Sequence, residues 1–159
     1  LCSLMVASPY LLRIMGIRFS KEILFNNPNP EQKLWRAVII NAFDETLTLN
    51  SDRKSSLIKM NSHNWILSDN RDFTKVCDWA NVNEDEIRDS YKKACRNMIV
   101  RFKTKQIAWK VYDIKYKKML LEDNNIMRNR IRKHILTFRR SIIESEDELL
   151  TTALDSVVS

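Results

Sequence analysis

Apolar residues recur every three or four positions through most of this chain, and the rhythm breaks only at short polar stretches. Within residues 31–49, Leu34, Trp35, Val38, Ile39, Ala42, Phe43 and Leu47 share one broad helical face. Just ahead stand Asn29, Pro30 and Gln32, in the order of a cap, a first helical residue and a capping-box partner. Asn50-Ser51-Asp52 reads as a turn. A second helix over about 53–67 carries Leu57, Ile58, Met60, Trp65 and Ile66 less regularly, with Ser62 as a point of interruption.

The clearest pattern is Phe73 to Ala94. Phe73, Val76, Cys77 and Ala80 fall on one face of a short helix, with Asp72 placed to cap it. The chain must then reverse at Asn81, where a left-handed backbone is wanted and Asn is the most tolerant residue after Gly. Val82 plugs the corner, and Asn83 with Glu86 has capping-box spacing for a second helix whose inward stripe is Ile87, Tyr91 and Ala94. Cys77 is the small side chain at which the two helices cross. Short helix, tight corner and capped second helix are the layout of a helix-turn-helix.

Beyond Ala94 the spacing predicts two helices, about 84–121 with a break near Thr104 and about 126–143, joined at Glu122-Asp123-Asn124-Asn125. A short strand at Ile107, Trp109 and Val111 is the minority alternative. Ser145-Glu146-Asp147-Glu148 has the form of a capping box for a last acidic helix through Leu149, Leu150 and Leu154, folded against the basic segment or loose. The expected fold class is all-α: a helical bundle containing a helix-turn-helix, with a long basic helical C-terminal extension. Four segments follow: 1–29 as extension and linker, 30–95 as the helix-turn-helix-like domain, 96–143 as the basic extension and 144–159 as the acidic tail.

Composition agrees with this picture. One Gly and three Pro in 159 residues leave few breakers, and 44% hydrophobic residues suffice for a core. Cys2, Cys77 and Cys95 are odd in number and widely spaced, which indicates neither a disulfide framework nor zinc and suits a reducing cytoplasm. The apolar stretch 1–19 is interrupted by Pro9 and Arg13 and is too short to span a membrane. Residues 1–14 read as an upstream extension, with a small anchoring helix as the alternative.

Charge changes the picture most. From Lys92 to Arg140 there are 16 Lys and Arg against 3 acidic residues, while residues 1–91 carry 11 against 12. That segment therefore carries +13, and the rest of the chain is net acidic, with 0 basic against 5 acidic residues over 141–159, so that the whole comes to +7.

Leu34-Trp35-Arg36-Ala37-Val38, Trp65 with Ser68, Arg71-Asp72-Phe73, Val76-Cys77, Ala80 and Ile87-Arg88 resemble a family of small phage and prophage proteins of alphaproteobacterial type, helix-turn-helix-like in pattern. The resemblance covers about residues 30–95. It departs at the corner, where the family has Gly and a leucine-aspartate-proline turn and this chain has Asn81-Val82-Asn83-Glu84. It implies a phage-derived, intracellular helical protein and no catalytic residues.

These features point to double-stranded DNA as the expected partner, with RNA second, and to transcription regulation as the expected role. Phosphate contacts are expected from Arg88, Lys92, Lys93 and Arg96, from Arg101, Lys103 and Lys105, and from Arg128, Arg130, Arg132, Lys133, Arg139 and Arg140. Glu84, Asp85, Glu86 and Asp89 bring negative charge to the first turns of the second helix, which disfavours its insertion into a groove and fits the helix dipole instead. Trp109, Tyr112, Tyr116 and Phe138 interleave with the basic residues, and base stacking is their minor reading beside core packing. His63 and His134 stand alone, Asp44-Glu45 adjoin at a helix end, and Gly16 makes no phosphate loop, so no enzyme, metal or cofactor is expected. The competing class is a non-enzymatic interaction module, homodimeric or docking a protein partner on the acidic second helix.

Overall fold

A computed structural model describes residues 28–159, and the expectations for residues 1–27 lie outside them. The described chain is all-helical: α1 (Pro30–Glu45), α2 (Arg53–Leu67), α3 (Arg71–Ala80), α4 (Glu84–Arg96), α5 (Thr104–Leu120) and α6 (Asn125–Glu144). No strand occurs among these residues, and 107–111 is helical.

Local chemistry sets each boundary. Asn29 and Gln32 form the capping box of α1, with bonds of 2.8 and 3.2 Å. Asp52 caps α2 through the Ser55 amide at 2.9 Å. Ser62 does not interrupt α2, because its hydroxyl turns sideways to donate to the Glu45 carboxylate. The cap of α3 is Asn70, not Asp72; Asp72 instead accepts from the Trp65 indole at 2.8 Å.

Helices α3 and α4 are joined by the expected corner. Asn81 has φ 55° and ψ 52°, the Val82 amide donates to the Cys77 carbonyl at 3.0 Å, and the Asn81 amide donates to the Asp78 carbonyl at 3.1 Å. This pair of bonds is a Schellman motif.

The same device makes the break within 84–121, ahead of the expected place near Thr104. Met98 takes φ 57°, its amide donates to the Cys95 carbonyl at 3.1 Å, and the Ile99 amide donates to the Ala94 carbonyl at 3.0 Å. Helix α4 thus ends at Arg96, well before Thr104, and the chain crosses to α5 through Val100 and Phe102, both buried.

Helices α1 to α4 and this crossing enclose the main core, in which Ile39, Phe43, Met60, Phe73, Ile87 and Tyr91 are fully buried. Helix α5 packs on α2, and α6 packs on α5. That hairpin has a separate small core of Trp109, Tyr112, Met119, Ile135 and Ile142. Of the aromatic residues considered as a stacking platform, Trp109, Tyr112 and Phe138 belong to it and Tyr116 stays exposed at its edge: Tyr112 stacks on Tyr116 at 6.2 Å and on Phe138 at 6.4 Å, and the Trp109 indole donates to the Ser51 carbonyl at 3.1 Å.

The acidic tail is not a helix. Residues 145–159 run extended across the bundle as a strap, beginning with the Thr104 amide on the Glu148 carbonyl at 2.9 Å and the Leu150 amide on the Phe102 carbonyl at 2.8 Å. Backbone pairing to the loop ahead of α5, and apolar contacts of Leu150, Leu154 and Val158 with the main core, outweigh the helical signal of the capping-box sequence.

Candidate nucleic-acid interface

The thirteen basic residues expected to meet phosphate separate into two groups. Arg88 is turned inward. Its guanidinium donates to the carbonyls of Ile66 at 3.0 Å and Ser68 at 3.3 Å, closing the end of α2, and lies 5.1 Å over the Phe73 ring. Arg128 closes the end of α5 in the same way, donating from Nε to the Glu122 carbonyl at 2.9 Å. Arg96 pairs with Asp155 at 2.7 Å, Lys103 with Asp147 at 3.4 Å, and Lys105 donates to the Ile143 carbonyl at 3.2 Å. The acidic strap therefore neutralises part of the basic segment that precedes α5. Lys92 is half-buried and its charge helps hold the Asp155 carboxyl low, behind the larger effect of the Arg96 hydrogen bond.

The remaining basic side chains are Lys93, Arg101, Arg130, Arg132, Lys133, Arg139 and Arg140. All seven are exposed, and none makes a hydrogen bond or ion pair with a described residue. Five of them lie on α6. Ile135 and Ile142 with Ile131 and Phe138 hold that helix to α5, and the helical spacing puts Arg132 and Arg139 on one flank, Lys133 and Arg140 together on the side away from α5, and Arg130 further round. Glu144 is the helix's single carboxylate. Twenty residues at about 1.5 Å each make α6 roughly 30 Å long. Lys115 and Lys118 on α5 extend the same basic hairpin, and Lys115 lies 4.7 Å over the Phe138 ring. They count in the charge of the segment but do not stand out in the sequence, because regular helical spacing does not say which lysines stay solvated.

Helix α4 offers a different surface. Asp85, Glu86 and Asp89 are exposed along its first turns, and Glu84 accepts from the Thr74 hydroxyl at 2.8 Å, tying α4 back to α3. An α4 docked by its N-terminal end would bring these carboxylates against phosphate.

Beneath the strap is a buried polar cluster that the sequence does not reveal. The His63 Nε2 lies 2.8 Å from the Ser156 carbonyl, which can only accept, so Nε2 carries the proton and Nδ1 accepts from the Tyr91 hydroxyl at 2.7 Å. Burial pushes His63 down to about 4, against the opposing effect of the Ser156 bond. Lys59, one turn away, is fully buried and donates to the carbonyls of Thr48, at 2.7 Å, and Arg101. Its Nζ sits 4.6 Å over the Phe102 ring, and desolvation lowers its pKa to about 7. A neutral amine still has two N–H groups, one for each carbonyl. Burial pushes the Cys77 and Cys95 thiols up to about 12, where they are inert hydrophobes.

No three His, Cys, Asp or Glu side chains converge as a metal site among the described residues. None of the described helices is long and apolar enough to cross a membrane. Comparison with protein-family models, with curated proteins and with solved structures gives no match for the chain.

Proposed function

We propose that this is a non-enzymatic nucleic-acid-binding protein that holds duplex DNA by its phosphates through the exposed face of α6, with transcription regulation in a phage-derived context as its role. One observation carries the reading: Arg130, Arg132, Lys133, Arg139 and Arg140 are solvated on a single helix and no carboxylate among the described residues pairs with them. A helix of this length can follow a groove edge while its side chains reach phosphates on either side. The corner between α3 and α4 is then a scaffold, since the acidic first turns of α4 oppose base reading.

The test is retardation of duplex DNA by the purified chain at low salt. Replacing Arg132, Lys133, Arg139 and Arg140 by Glu abolishes it, whereas replacing Lys92, Lys93 and Arg96 weakens it less. Five phosphate contacts give a fall in affinity of about 10² to 10³ between 50 and 200 mM salt. Absence of retardation at low salt overturns the proposal, and unchanged retardation by the α6 variant overturns the surface.

The second reading, a helical interaction module, has its own observation. Leu136 and Ile143, 55% and 57% exposed, lie beside Arg132 and Arg139 on α6. A solution mass above that of one chain, unaffected by DNA, favours it.

A further inference from the structure

Helices α1, α2 and α3 leave an open groove of about 510 Å³ between them, a volume typical of small-molecule sites. Three of the four tryptophans line it: Trp35, Trp65 and Trp79. Val38, Ala42 and Val76 form its floor. The lining contains Glu45 and Asp72 but no Lys or Arg, on a chain whose net charge is +7.

The two ends differ in chemistry. Trp35 near the start of α1 packs against Trp79 near the end of α3, with ring centroids 4.5 Å apart, and Trp79 is 45% exposed. Glu45 at the end of α1 and Asp72 at the start of α3 lie at the opposite end, ten and seven residues along their helices, or roughly 10–15 Å away. Both carboxylates are positioned by α2: the Ser62 hydroxyl donates to Glu45, and the Trp65 indole donates to Asp72 at 2.8 Å. Asn41 holds the other Glu45 oxygen at 3.0 Å. Each carboxylate keeps acceptor capacity beyond these bonds, and neither forms an ion pair with a described residue.

We infer that this groove binds a small amphipathic organic cation, an aryl or alkyl body ending in an ammonium group. The body lies along the floor with its far end against Trp35 and Trp79. The ammonium sits between Glu45 and Asp72 beside the Trp65 ring, where the charge of the carboxylates and the face of an aromatic ring both favour it.

The probe is 4-phenylbutylammonium, with 4-phenylbutyrate and 4-phenylbutanol as anionic and neutral analogues of the same shape, and tryptophan fluorescence as the readout. The ammonium gives a saturable change with a roughly millimolar or lower Kd, at least about tenfold tighter than either analogue. Asp72→Asn, which keeps an oxygen for the Trp65 indole, and Glu45→Gln each weaken it by about tenfold. Trp79→Ala, at a solvent-exposed position, removes the preference for an aryl body while cooperative melting is retained. Equal binding of the three probes, unchanged binding by the carboxylate variants, or no saturable change overturns the inference. So does binding of a peptide carrying Phe and Lys with no binding of the free amine, which would make the groove a protein-docking site.

Discussion

Asn64 holds Val158 by both ends of its carboxamide, donating to the Val158 carbonyl at 2.8 Å and accepting from the Val158 amide at 2.9 Å. A side chain on α2 thus does for the strap what a neighbouring strand would do. With the Ser156 carbonyl on His63 it fastens the last residues of the strap over the main core. Asn64→Ala removes two hydrogen bonds and lowers stability by about 1–3 kcal/mol. Amide exchange of Val158 rises in the variant before that of α4. Equal protection in the variant and the parent would show that Leu154 and Val158 hold the strap by apolar contact alone.

Acid acts on the same region through His63. Its pKa falls from 6.5 in a solvated chain to about 4 in the fold, chiefly by burial, so the fold favours the neutral ring. The corresponding stability is fully present above pH 6.5 and is lost as pH falls towards 4, by up to about 3 kcal/mol. Denaturant midpoints measured across this window decline in the parent and flatten in His63→Gln. Parallel declines would place the acid sensitivity in other groups.

Lys59 behaves in the opposite sense to a surface lysine. Lys59→Met relieves a buried amine but leaves the Arg101 carbonyl without its donor and the Thr48 carbonyl with Gln106 Nε2 alone, at 3.0 Å. The orphaned Arg101 acceptor and the lost second bond to Thr48 outweigh the relief, and a net loss of about 1–3 kcal/mol at pH 7 is expected in chemical denaturation. A variant as stable as the parent would mean that water replaces the amine.

Met98 occupies a left-handed position usually given to Gly, at φ 57°. Met98→Gly is at least as stable as the parent, while Met98→Val, whose branched side chain resists that backbone, loses about 1–2 kcal/mol. Thermal melting of the two variants distinguishes them; equal melting would show that the chain relaxes away from the motif.

The helices were legible where one local rule acted alone. Asn29 with Gln32 marks the start of α1, and Asn81 marks the corner after α3, because a cap and a left-handed turn need particular residues at fixed offsets. The end of α4 was hidden because Met98 gives no sign of a positive φ; the energy that holds it there comes from burying Val100 and Phe102 further along. The strap carries a helical signal in its sequence for a similar reason, since its capping-box pattern is local while the hydrogen-bond partners of Glu148, Leu150 and Val158 are 44 or more residues away. At the candidate interface, sequence located the charge but not its partners: Arg88 and Arg128 are committed to helix ends and Arg96 to Asp155 through contacts that only folding creates.

Helix α6 packs against α5 and runs on into the strap, and its buried residues, Ile135 and Ile142, belong to the hairpin's own small core. The element that carries the solvated arginines is therefore also the one that can come away without opening the main core. Its detachment is expected as a local opening of lower free energy than global unfolding, and a partner held by the arginines opposes it. A ligand on α6 would act as a splint, raising the local opening energy of the hairpin while leaving the protection of α1 to α4 nearly unchanged.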